Sequence, residues 1–275
     1  MQVGLTIEKY KGIEPSVLIA FVKRIGVEFI EITKSVFEDL DRVIPLMRGL
    51  KASFHLPLIH DDGYDFSCPD FKLEIDQVID LINTYWRDLN ILYCIAHPPE
   101  PSHSKTPLRT SLPFLWGNLK KLTPPVLLEN VTNPDGEGFE EFYRESKRAL
   151  GEKLGGFCFD AAHSFINDQR NWLAPLIRFN NELKHVHLSD CTTTEDLHMA
   201  FGLGGELPLD EVLDFLKKQR FDGIINLELM PQSLDDLKPV IDSYLRVLKR
   251  FRKKRYLLTR AKLLLIMPLI QRLLP

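Results

Sequence analysis

Nine side chains able to hold a metal ion recur along this chain: His55, His97, Glu129, Asp160, His163, His187, Asp196, His198 and Glu228. Mixed imidazole and carboxylate ligation suits zinc, with manganese or iron also accepted. One ion with four or five ligands cannot use nine donors, so the pattern points to more than one metal. Burying several carboxylates together is costly, because they repel and lose solvation; divalent cations remove that objection. One pair, Asp160-x-x-His163, ends the apolar run Phe157-Cys158-Phe159. If a strand ends at 160 and a helix begins near 162, both side chains face one point. An Asp before a helix also commonly serves only as its cap.

The elements that must position these residues alternate regularly. Short β-rich runs at 2–6, 27–32, 51–55, 91–97, 125–130, 156–160, 185–189 and 223–229 are the candidate strands. Amphipathic stretches near 15–24, 36–49, 70–87, 109–121, 138–149, 164–180, 208–219 and 233–251 lie between them. Eight βα repeats without a long linker predict a single closed parallel (β/α)8 barrel over 1–250, followed by a tail at 251–275. A doubly wound sheet is the alternative, but the first turn carries no G-x-G-x-x-G. The third to eighth strands each end in an acid or an imidazole, where barrel enzymes place their active sites. After the seventh come Asp190, then Asp196-Leu197-His198, then Gly202-Leu203-Gly204, whose glycines allow a tight backbone path near the site. His60, His103 and His185 have no such support, and His185 shares the inward parity of His187 as a core or supporting residue.

At 275 residues the chain suits one large domain, and about 250 is typical of such a barrel. Cys68, Cys94, Cys158 and Cys191 show neither C-x-x-C spacing nor a disulfide framework, which suits a reducing, cytoplasmic setting. Glu8, Lys9, Lys11 and Glu14 interrupt any signal-peptide pattern, and no run approaches a membrane span. The net charge of −3 hides an asymmetry: residues 246–275 carry ten bases and no acid. That leaves 25 bases against 38 acids in 1–245, a formal charge of −13. A basic segment beside Leu263-Leu264-Leu265-Ile266 suits either an anionic membrane surface or a protein partner.

The motifs His97-Pro98, Glu129-Asn130, Asp160-x-x-His163, His187-Leu188-x-Asp190, Asp196-x-His198 and Leu227-Glu228 together resemble the endonuclease IV family of apurinic/apyrimidinic endonucleases, within the xylose-isomerase-like TIM barrels. The resemblance runs from about His55 to Glu228. It implies three zincs: one held by His55, His97 and Glu129; one by Glu129, Asp160, His187 and Glu228; one by His163, Asp196 and His198. It also implies Glu129 and Glu228 as catalytic residues and damaged DNA as substrate. The DNA-binding parts depart from the family. Leu58 and Ile59 stand where it has a Tyr-Leu wedge, and Pro99-Glu100-Pro101 replaces its glycine and serine. Its basic loop after the second strand is here Lys34 followed by Glu38, Asp39 and Asp41.

The leading expectation is therefore a metal-dependent phosphodiesterase acting on abasic-site DNA or another phosphate ester. A UV-damage endonuclease is a near relative of that reading. The alternative is a sugar isomerase or epimerase of the same superfamily, using one divalent metal at Glu129, Asp160, His187 and Glu228, with the two glutamates moving protons. A metal-bearing scaffold without activity is the non-enzymatic reading.

Overall fold

A computed structural model of the chain describes residues 1–10, 12–230 and 237–270, the last five by backbone alone. Eight strands form its centre: β1 (Gln2–Ile7), β2 (Phe29–Ile32), β3 (Lys51–His55), β4 (Ile91–Ala96), β5 (Val126–Glu129), β6 (Leu154–Asp160), β7 (Leu183–Leu188) and β8 (Ile224–Leu227). Each pairs in parallel with the next, and β8 returns to β1, so the barrel is closed. Such strands are buried on both faces and hence read as nearly continuous apolar runs. The register sets neighbouring donors level, as in Asp160 beside His187.

In chain order the helices are α1 (Pro15–Ile25), α2 (Leu40–Leu46), α3 (Ile59–Asp62), α4 (Lys72–Tyr85), α5 (Pro101–Ser104), α6 (Leu108–Lys121), α7 (Phe139–Leu150), α8 (Ala161–Asn167), α9 (Ala174–Arg178), α10 (Leu209–Lys218), α11 (Leu237–Phe251) and α12 (Lys253–Ile270). Sequence reading places helix at 36–49, but a 3₁₀ turn, Lys34–Asp39, precedes α2. The stretch 164–180 divides into α8 and α9. There the Asp168 carboxylate accepts from the backbone of Arg170 and Asn171, which competes with helical bonding. The short α3 and α5, on the loops after β3 and β4, lie where no helix is expected. Of the expected last barrel helix, residues 233–236 lie outside the described residues, as do Lys11 and Arg272.

Inside the barrel, below the strand ends, Ile95, Leu127 and Cys158 pack with Tyr93. Tyr93 Oη stands 2.9 Å from His185 Nδ1. Burial, with His187 close by, pushes the His185 imidazole down to about 3, so it is a neutral core residue. Toward the opposite end of the barrel α12 packs on α11 and α1. Leu263 and Thr259 are buried there, Arg255 pairs with Glu28, and Arg252 donates to the Met1 carbonyl. The basic segment thus sits at the amino-terminal ends of the strands, away from the nine donors. No described helix is long and apolar enough to cross a membrane.

Candidate metal centre

Glu129, at the end of β5 and fully buried, is the hub of the strand-end cluster. Its Oε2 lies 3.3 Å from His55 Nε2. Its Oε1 lies 3.1 Å from His187 Nδ1 and 3.6 Å from His97 Nε2. The same His187 nitrogen is 3.2 Å from Glu228 Oε2 and 4.0 Å from Asp160 Oδ2. Asp196 Oδ2, on the loop after β7, is 2.9 Å from His163 Nε2 and 3.5 Å from His198 Nε2. All nine residues singled out in the sequence therefore converge. Two sets, His55–His97–Glu129 and Glu129–Asp160–His187–Glu228, each bring one ligand atom per residue within 4.8 Å of the others. Ligands about 2.0–2.2 Å from one zinc stand roughly 3–3.6 Å apart, so these spacings fit an ion between them.

The hydrogen-bond inventory gives an independent test of that fit. His97 Nε2, Glu129 Oε1, Asp160 Oδ2, His187 Nδ1 and His198 Nδ1 are buried without a hydrogen-bond partner. An unsatisfied buried polar atom costs about 1–3 kcal/mol. Four of them, on His97, Glu129, Asp160 and His187, each stand within 4.0 Å of another of the four, as cation ligands do, and the residues fit divalent ions.

The opposite atoms of the same side chains are held. His55 Nδ1 donates to the Leu56 carbonyl at 3.0 Å, and His163 Nδ1 to the Asn130 carbonyl at 2.8 Å. Each leaves Nε2, the ring atom that an ion would take, facing a carboxylate. Such outer contacts fix tautomer and ring orientation at metal sites. Asn130 also accepts from the Asp160 amide and donates to its carbonyl, both at 2.9 Å, which locks the ends of β5 and β6 together. Asp160 is both cap and donor: Oδ1 accepts from the His163 amide at 2.6 Å, while Oδ2 faces the cluster.

Asp190 organises the loop that carries Asp196 and His198. Its backbone bridges to Met199, and its Oδ1 accepts from the amides of Cys191 and Leu207 at 3.1 and 3.2 Å. His198 itself takes φ 45°, a left-handed conformation disfavoured for a non-glycine residue, held by this loop. Gly202 and Gly204 both take positive φ, the backbone path that glycine allows, although a Cβ at either would meet nothing. The close approach is at Gly205, where a Cβ would stand 2.1 Å from the Asp190 carboxylate.

The residue that sequence reading missed is Glu31, near the end of β2. It is fully buried, with Oε1 at 3.0 Å from His187 Nε2 and Oε2 accepting from Ser53 Oγ at 2.8 Å. Asn226 donates to it as well, at 3.3 Å. A charged residue at an inward position of an otherwise apolar strand, Phe29–Ile32, was the available signal. Burial works to raise its pKa, but His187, His185 and His55 outweigh that and hold Glu31 down at about 2. Glu129 is likewise held well below the carboxylate range, its burial outweighed first by His187 and His97. Burial pushes Asp160 up to about 7, with Asp196, Glu129 and Glu228 adding repulsion. Burial disfavours a charged His97, yet Glu129 and Glu100 raise it to about 10. Protons on imidazoles thus balance the acids when no ion does, and metal uptake must displace them.

A closed parallel barrel that gathers imidazoles and carboxylates at the carboxyl ends of its strands defines a class: a TIM barrel with a candidate divalent-metal centre. The chain belongs to the xylose isomerase-like TIM barrel family, whose model matches residues 19–251. Among solved structures, an AP endonuclease, family 2, from Brucella melitensis superposes with TM-score 0.69 at 13% identity, over 91% of this chain and 99% of that one. A D-tagatose 3-epimerase-like protein gives 0.63 at 19%, over 90% and 98%. A D-allulose 3-epimerase from Methylomonas sp. gives 0.65 at 17%, over 98% and 96%. At such identities these likenesses establish the fold alone, and they include both endonuclease and epimerase structures. No curated protein sequence matches the chain significantly.

Proposed function

We propose that this chain is a metal-dependent phosphodiesterase of the endonuclease IV type, with three zinc-class ions, acting on abasic-site DNA or another phosphate ester. One observation carries the reading. Beyond the quartet Glu129, Asp160, His187 and Glu228, five more donors (His55, His97, His163, Asp196 and His198) gather at the same end of the barrel. A one-metal isomerase gives no reason for them. Zinc-class ions, when bound, would lower the pKa of water and neutralise charge on the attacked phosphate and its leaving oxygen.

The chain's own residues do the rest. Glu129 presents its two oxygens to different imidazoles and is placed to serve two donor sets. Glu228, slightly open to the mouth, can orient a water molecule and accept its proton. A cavity of about 380 Å³, bounded by Leu58, His97, Thr132, His198 and Met230 among others, receives the ester. Leu58 and Ile59, both partly buried, supply apolar contact without an aromatic wedge. Lys34 is already paired with Asp62 at 2.7 Å, so this loop brings little free positive charge to a phosphate backbone. Weak, salt-sensitive DNA affinity follows.

The epimerase reading keeps one specific support: the quartet is buried throughout and would by itself hold a single ion beside the two glutamates. An end-labelled duplex with one abasic analogue, incubated at low salt with metal-replete protein and with Glu129→Gln, separates the two. Incision 5′ to the lesion by the unmodified protein alone supports the proposal. No cleavage of the duplex or of a simple diester, alongside interconversion of a keto sugar, replaces it with the epimerase.

A further inference from the structure

His60 and His103 look isolated in the sequence, yet the loops after β3 and β4 bring them together. Their ring centroids are 4.1 Å apart, with planes at 71°. Between them lies Glu100, which is only 5% exposed. Its Oε2 stands 3.2 Å from His60 Nε2 and 3.5 Å from His103 Nδ1. One donor atom from each of the three lies within 4.8 Å of the other two. Asp135, from the loop after β5, adds a carboxylate oxygen 3.5 Å from His103 Nδ1. The Ser102 hydroxyl, 2.8 Å from the same nitrogen, donates to that carboxylate and holds it there.

We propose that His60, Glu100 and His103, with Asp135 as a fourth donor, form a separate site for a divalent transition-metal ion of the zinc class at the barrel rim. Two imidazoles and one or two carboxylates are an ordinary zinc ligand set, and the exposed rings leave a side open to solvent or substrate. A carboxylate as buried as Glu100 requires compensation, and one shared cation held between it and the two imidazoles supplies it. Glu100 also couples this site to the nine-residue cluster, because its Oε1 faces His97 Nδ1 at 3.3 Å. His60 borders the cavity mouth, where Asp61 is another neighbour. An ion there places positive charge beside a cavity also lined by Asp61, Asp196 and Glu228, which favours an anionic substrate.

The site stands whether the deeper centre hydrolyses phosphates or moves sugar protons, so its test is a metal count. Full-length protein, His60→Ala/His103→Ala and Glu129→Gln are stripped with chelator, titrated with cobalt(II), and followed by visible absorption and elemental analysis. Far-UV circular dichroism and the melting temperature of the stripped proteins report on folding. The expected result is one ion fewer in the double variant than in the unmodified protein, with unchanged fold. Glu129→Gln should keep the ion and absorption that the double variant loses. If His60→Ala/His103→Ala binds as many ions with the same spectrum, the rim site does not exist. If Glu129→Gln, still folded, binds no cobalt, the rim residues hold nothing of their own and the proposal likewise fails.

Discussion

The two ends of this barrel are built from the same eight strands and do opposite things. At the carboxyl end the inward positions carry His55, Glu129, Asp160 and His187, buried, with several polar atoms left unpartnered. At the amino end α12 packs on α11 and α1, with Leu263 and Thr259 buried and Arg255 paired with Glu28. One end stores unmet electrostatic demand, and the other resolves it with apolar packing and surface pairs. On the function we propose, the polar burial at the carboxyl end serves ligand binding, while stability rests largely elsewhere. Changes at the two ends should therefore separate activity from folding.

The largest effect is expected for Glu129→Gln. This residue faces both main donor sets, so activity should fall roughly 10²–10³-fold, the scale of losing a preorganised charge stabiliser. His198→Ala, which contacts one acid, should lose less. Parallel kcat measurements and metal analysis decide, and equal losses with metal content unchanged would remove the central role of Glu129. Next comes Glu31→Gln. Of the nine donors its carboxylate contacts only His187, at the nitrogen turned away from Glu129, so metal affinity should weaken about 10–100-fold while the remaining donors stay. Chelator competition measures this, and unaltered affinity would show Glu31 to be a core residue only.

At the other end, ending the chain after Arg252 removes α12. Losing the burial around Leu263 should lower stability by roughly 1.5–3 kcal/mol, read as a lower urea midpoint, with metal count and activity per folded molecule unchanged. A loss of bound metal would break the separation of the two ends. The same truncation tests our proposal that the basic tail meets an anionic surface or a protein partner: full-length protein alone should sediment with anionic vesicles, and equal, negligible pelleting removes the membrane version.

The smallest and most diagnostic change is with pH. His97 in the folded, metal-free protein is raised to about 10, above the roughly 6.5 of an unfolded histidine. Its stabilising contribution is complete below pH ~6.5 and disappears as pH rises through ~10. Stripped protein should therefore melt at lower temperature as pH rises across that window. Metal-loaded protein should show the opposite trend at its lower edge, because fewer protons compete for the imidazoles. Identical profiles with and without metal would mean that ions do not replace these protons.

The closed barrel and the convergence of nine donors were legible in the chain because both rest on local rules. Side chains alternate along a strand, βα units repeat, and a residue at the carboxyl end of a parallel strand has one place to go. Those rules put Glu129, Asp160 and His187 at one end without any knowledge of their distances. Glu31 escaped because its partners His187 and Asn226 come from β7 and β8, and only barrel closure makes them neighbours. His60 and His103 looked solitary because loop paths, not periodicity, bring them to Glu100. The positive φ of Gly202 and Gly204 was legible from residue type, but the approach of Gly205 to Asp190 depends on how the loop folds back. Sequence determines which end of each strand bears chemistry. Only the tertiary structure decides which atoms meet, because side-chain distances across a barrel depend on every loop and register at once.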